Sequence, residues 1–204
     1  MGWTWQHEDE TWQNGRYSLD RKAICDRFIT RKAGEIDGHW YPKREVLKSS
    51  MIGSVYYAAV RTTRKDGSSE VWAAVFLTKV NSRDYFNFGY KDMDETCGPG
   101  ENQCPTGILK LLTETDSEYA KMWRKRCWEY HEKKKEKRAV SELPLGSKIS
   151  FVNKAHLTDG RKPGDEIILT KKERWERGKR KQYWSDGYYR WPSTWIPDEY
   201  KIVA

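Results

Sequence analysis

The densest chemistry in this chain lies between Lys171 and Trp195. The basic run Lys171, Lys172, Arg174, Arg177, Lys179, Arg180 and Lys181 is broken by acidic residues only at Glu173 and Glu176. Trp175, Tyr183, Trp184, Tyr188, Tyr189, Trp191 and Trp195 are interleaved with them or follow directly. Ammonium and guanidinium groups neutralise phosphates and release their counterions. Aromatic rings are stacking platforms, worth about 1–3 kcal/mol per base in single-strand binders. The pairing points to nucleic acid. The candidate contacts are Lys171, Lys172, Arg174, Trp175, Arg177, Lys179, Arg180, Lys181 and Trp184. A bland reading stands beside it: alternate rings fill the core of a small β domain, and the basic stretch is a solvated loop.

Two weaker constellations precede it. Cys97, Cys104, Cys127 and His131 make a Cys3His set of the type that holds zinc. However, Cys97 and Cys104 are spaced Cys-x6-Cys, wider than a zinc knuckle, and Cys127 fits the buried stripe of a helix, so no metal is expected. Asp92, Asp94, Glu95 and Glu101 are carboxylates in a predicted loop, where solvation is their usual fate. His7 and His39 have no evident partners. There is no P-loop, no Gly-x-Gly-x-x-Gly, no His-Glu-x-x-His and no Gly-x-Ser-x-Gly, so no catalytic residue and no cofactor is assigned.

The elements that must position these residues follow from length and patterning. The 204 residues suit one large or two small domains, and 37% hydrophobic against 33% charged residues still allows a core. The charge is divided: residues 1–120 carry 16 Lys/Arg and 18 Asp/Glu, whereas residues 121–204 carry 22 and 12. A net +10 on the second part is the footprint of a polyanion or an acidic protein partner. No run is apolar enough to span a bilayer. The start, Met1-Gly2-Trp3-Thr4-Trp5-Gln6, lacks the basic and apolar regions of a signal peptide. A cytoplasmic protein with reduced cysteines is therefore expected.

A helix is predicted from Ser18 to Thr30, capped by Ser18 or Asp20, with Ile24, Cys25, Phe28 and Ile29 on one face. Val55–Val60 and Glu70–Val80 flank Asp66-Gly67 and predict a β-hairpin. Glu45–Met51 is a candidate third strand. Asp84–Gly100 reads as an ordered loop, and Pro105 opens a short helix to Leu112. Thr115-Asp116-Ser117-Glu118 has the capping-box pattern. It opens a long helix from about Asp116 to Arg138, with Tyr119, Met122, Trp123, Cys127 and Tyr130 as its buried stripe. After Ser141–Gly146 come short strands at 148–153, 166–171, 182–185, 188–191 and 200–203. The expected fold is α+β: an N-terminal helix, an antiparallel β-sheet and a long helix over residues 1–140, then a small, basic, SH3-like all-β part over residues 141–204.

Four blocks carry a likeness to known sequences: Met1-Gly2-Trp3-Thr4, Glu45–Val60, Asp84–Met93 and Leu111–Ala120. They resemble an uncharacterised bacterial domain family carried on phages, plasmids and other mobile elements. The likeness covers roughly residues 1–130 well and the remainder loosely. The family has no assigned activity, so it carries no role to any residue here. The resemblance implies a mobile-element accessory protein. The expected function is non-catalytic binding of RNA or DNA, or of a nucleic-acid-guided host defence complex, as a counter-defence factor of the anti-CRISPR or anti-restriction kind. Two alternatives stay open: a protein–protein inhibitor with no nucleic-acid contact, and a nucleotide-binding protein or enzyme with a site near residues 85–104. No membrane partner is expected.

Overall fold

The structure, a computed structural model, describes residues 20–36, 38–80 and 88–203, and the strands at 5–8, 12–13 and 16–17. Residues 1–4, Ser18 and residues 84–87, which figured in the sequence reading, lie outside the described residues. The chain divides into two compact units, Met1–His131 and Glu132–Ala204.

The first unit opens with β1 (Trp5–Glu8), β2 (Trp12–Gln13), β3 (Arg16–Tyr17) and α1 (Arg21–Thr30). Then come β4 (Gly34–Ile36), β5 (His39–Tyr41), β6 (Lys43–Ile52), β7 (Val55–Thr63), β8 (Ser69–Val80) and β9 (Phe88–Asp94). A 3-10 turn at Glu95–Cys97 leads to α2 (Thr106–Leu109) and α3 (Glu118–Ser141). A five-stranded sheet runs in the order β1-β9-β8-β7-β6, antiparallel throughout. β7 is apolar on both faces because both faces are covered. Tyr56, Ala58 and Val60 join Phe76, Phe88 and Tyr90 against Ile24, Cys25 and Ile29 of α1. Tyr57 and Ala59 join Val75, Met93, Cys104, Ile108, Trp123 and Cys127 on the other side.

Local chemistry sets the boundaries. Asp20 caps α1 by accepting from the Ala23 amide at 3.0 Å. The Asp-Gly turn expected between β7 and β8 forms there: Asp66 accepts from the Ser68 amide at 2.9 Å and Gly67 takes φ +83°. β6 supplies the third strand, with a bulge between Val46 and Lys48. Two expectations need correction. The loop expected over residues 84–100 contains β9, which pairs with β8 over Phe88–Asp94. The stripe on α3 is Ala120, Trp123 and Cys127, whereas Tyr119 is 62% exposed and Met122 is also exposed. Those two sit one position round the helix from the line through Ala120 and Trp123, a difference of about 100°.

The second unit holds the end of α3 and five strands: β10 (Lys148–Val152), β11 (Glu166–Glu176), β12 (Lys179–Ser185), β13 (Arg190–Pro192) and β14 (Lys201–Val203). Their order is β13-β12-β11-β10-β14, all antiparallel. β13 and β14 are the two ends of that order, so the unit stands as a five-stranded antiparallel sheet. Val140, Ile149, Ile167, Leu169, Trp184 and Ile196 form its core. No helix among the described residues is long and apolar enough to cross a membrane.

Candidate nucleic-acid interface

The basic stretch is a β-hairpin. β11 and β12 pair from Thr170 opposite Ser185 to Glu176 opposite Lys179, and Arg177 and Gly178 make the two-residue turn. Both have positive φ, +48° and +76°, the signature of a type I′ turn. This turn suits the right-handed twist of the strands but favours Asn, Asp or Gly at its first position, so Arg177 sits where an L side chain is disfavoured.

Period-two alternation sorts the candidates. Ile167, Leu169 and Lys171 of β11 and Trp184 of β12 point to the core. Lys171 is 2% exposed and Trp184 fully buried. Neither can touch a ligand, which corrects their assignment as contacts. Lys171 donates from Nζ to the carbonyls of Ser141 at 2.7 Å and Leu143 at 2.5 Å. It thereby caps the C-terminus of α3, where carbonyls are orphaned and the helix dipole favours a cation. Burial pushes its pKa down, partly offset by Glu142. Trp184 donates from Nε1 to the Ser193 carbonyl at 3.2 Å.

Beyond Lys171 the hairpin leaves the core. Lys172, Arg174, Trp175, Arg177, Lys179, Arg180 and Lys181 are all exposed, Trp175 by 69%. The register places Lys172 beside Tyr183, Arg174 beside Lys181 and Glu176 beside Lys179 on one face. Glu173, Trp175, Arg180 and Gln182 occupy the other. Glu176 accepts from Arg174 at 2.8 Å and lies 3.6 Å from Lys181. Arg180 reaches Glu173 at 3.5 Å. Among the described residues Lys172, Arg177 and Lys179 have no carboxylate partner, so the hairpin keeps uncompensated positive charge.

A neighbouring strand, missed as a contributor in the sequence, adds to this face. Arg190 of β13 lies over the Tyr183 ring at 5.6 Å, with Arg174 at 5.8 Å from the same ring. Arg174, Lys181, Tyr183, Arg190 and Trp191 line a groove of about 610 Å³. Arg190 follows a turn in which Asp186 accepts from the amides of Tyr188 at 2.8 Å and Tyr189 at 2.7 Å. Only strand pairing brings Arg190 beside Tyr183, so spacing along the chain carried no signal for it.

The other candidates do not assemble. Cys97 is exposed, whereas Cys104 and Cys127 are buried and free. His131 Nε2 lies 2.7 Å from the Cys104 carbonyl and is occupied there. Among the described residues no three His, Cys, Asp or Glu side chains converge to hold a metal. Burial pushes the Cys127 thiol up to about 12 and raises Cys104 as well. Glu95, expected in a solvated loop, is buried. It accepts from Arg124 Nε at 2.8 Å, from Nη2 at 2.7 Å, and from the Ala73 amide at 3.3 Å. Asp94 accepts from the amides of Thr96 at 2.9 Å and Cys97 at 3.2 Å. Glu95 and Asp94 also border a second cleft of about 610 Å³ with Arg44, Trp72, Thr113 and Asp116, wholly within the first unit.

Residues 114–194 match the model of a family described as a domain of unknown function, DUF6927. The match takes in α3 and β10 to β13, and so lies mainly on the part where the resemblance above was looser. No curated protein and no solved structure matches the chain. Over α3 and the basic hairpin, then, this chain is similar to an uncharacterised domain family.

Proposed function

We propose that this protein binds nucleic acid without catalysing a reaction, through the β11–β12 hairpin and the adjoining Arg190. The observation that carries the reading is the hairpin's departure from the core. Residues 172–176 and 179–182 gain little from burial, yet they hold Lys172, Arg174, Lys179, Arg180 and Lys181 in one paired ribbon. Excess positive charge on a paired ribbon attracts phosphates. The likeness to a family carried on mobile elements supports a setting as an accessory protein. Competition for the nucleic acid of a host defence complex fits that setting.

The test is a titration of labelled nucleic acid at low salt with the native protein and with a Lys172→Gln, Lys179→Gln, Lys181→Gln variant. The three positions are exposed, so folding should be unchanged. A tenfold or greater loss of affinity is expected. Equal binding by both proteins, or binding by neither, contradicts the reading; the basic hairpin would then be a docking face for an acidic protein.

A second reading, a nucleotide-binding protein or enzyme, draws on the cleft beside Asp94 and Glu95. It requires thermal stabilisation of the protein by a nucleotide or small metabolite. The absence of any such shift across a nucleotide panel counts against it.

A further inference from the structure

We infer that the hairpin is built to enter the major groove of duplex DNA, with Arg177 at its tip reading base edges. The inference rests on nucleic-acid binding by the hairpin, and adds the form of the nucleic acid and the manner of docking.

Shape comes first. From Lys172 to Gln182 every residue is exposed except the half-buried Glu176. The arm is therefore a free two-stranded ribbon with both faces open. At about 3.3 Å per residue, Lys171 to Arg177 spans roughly 20 Å. The two backbones of such a ribbon lie about 4.8 Å apart. The major groove of B-form DNA is about 12 Å wide and about 8.5 Å deep and admits a two-stranded ribbon. The major groove of A-form RNA is too deep and narrow for side chains to read.

Chemistry points the same way. A ribbon in a groove has a phosphate wall on each side, and this arm carries cations on both faces: Lys172, Arg174, Lys179 and Lys181 on one, Arg180 on the other. A single-strand binder instead presents successive rings to successive bases. Trp175 is the one ring exposed on the arm among the described residues, since Tyr183 is half-buried beneath Arg174 and Arg190.

The tip supplies an independent observation. Arg177 holds φ +48° in a turn that Asn or Gly would form with less strain. A disfavoured residue kept at the end of an arm is explained if its guanidinium meets the ligand, because Arg forms the commonest specific contact, bidentate to guanine.

The full-length protein is titrated against one sequence as duplex DNA, duplex RNA and single-stranded DNA, with methyl green as major-groove competitor and netropsin as minor-groove competitor. Duplex DNA should bind at least tenfold tighter than the other two forms, and methyl green should displace the protein. Arg177→Asn should keep or raise the melting temperature while weakening duplex binding about tenfold. Lys179→Gln, outside the turn, provides a second variant and should lower the salt slope by about 0.9. Equal or tighter binding to single strands or duplex RNA overturns the inference and leaves nucleic-acid binding standing. So does displacement by netropsin alone, or full affinity in Arg177→Asn. Binding to none of the three forms overturns both.

Discussion

Lys171 and Lys172 are neighbours of identical chemistry with opposite roles. Lys171 is sealed under the sheet and ties down the end of α3, whereas Lys172 faces solvent. Lys171→Met leaves the Ser141 and Leu143 carbonyls unpaired and should destabilise the second unit by roughly 1–3 kcal/mol in urea denaturation. Lys172→Met should change stability by less than about 0.5 kcal/mol. Their difference was legible in principle, since Ile167, Leu169 and Lys171 share one phase of a period-two pattern. A lysine among apolar positions reads as solvated unless its partner is known, and that partner lies on another element. The cysteines give a second check. Exposed Cys97 should react with a disulfide reagent in the native protein, while Cys25, Cys104 and Cys127 should react only on unfolding. An acid titration gives a third. Arg161 donates to Asp159, and that hydrogen bond holds the Asp159 carboxyl below the ordinary carboxylate range. A carboxylate pKa depressed in the folded state stabilises above its unfolded pKa and loses that contribution as pH falls through the folded value. Asp159→Asn should therefore be less stable than the native protein at neutral pH, and the gap should close below about pH 4.

At the scale of elements, α3 is held to the sheet of the first unit by a buried ion pair. Glu95 is 2% exposed on its side chain and Arg124 19%. Arg124→Met strands that carboxylate and should cost about 3–5 kcal/mol. The double variant Glu95→Gln, Arg124→Met should recover part of the loss, and urea denaturation of the three proteins checks both. Trp123 donates to the Glu101 carbonyl at 2.7 Å and Arg126 to the Pro99 carbonyl at 2.8 Å, so this half of α3 fastens the whole segment that follows β9. The pair of long strands β7 and β8 was readable because apolar alternation and an Asp-Gly turn coincide there. β9 was not, because Lys91, Asp92 and Asp94 mask its alternation and pairing with β8 decides its state. The outer half of the β11–β12 hairpin was hidden for a related reason. Its residues are exposed on both faces, so neither face carries the apolar period from which strands are recognised. Its turn also has Arg where the usual turn residues would announce it.

For the whole molecule, composition indicated a great deal. The charge asymmetry, the α+β order of elements and the predominance of strands after residue 146 were all legible, because each depends on sums over many residues. How the cations group in space was not, since Arg190 joins Arg174 and Lys181 only through the register of β11, β12 and β13. If this grouped charge is a phosphate-binding surface, affinity must depend steeply on salt. Each neutralised phosphate on duplex DNA contributes about −0.9 to the slope of log affinity against log salt. Affinity for labelled duplex DNA, measured by fluorescence anisotropy at about 50 and 200 mM salt, should fall by two orders of magnitude or more if four or more phosphates are engaged. The Lys172→Gln, Lys179→Gln, Lys181→Gln variant should bind more weakly and with a shallower slope. No binding at the lower salt, or an affinity indifferent to salt and to those three substitutions, would contradict phosphate binding by this surface.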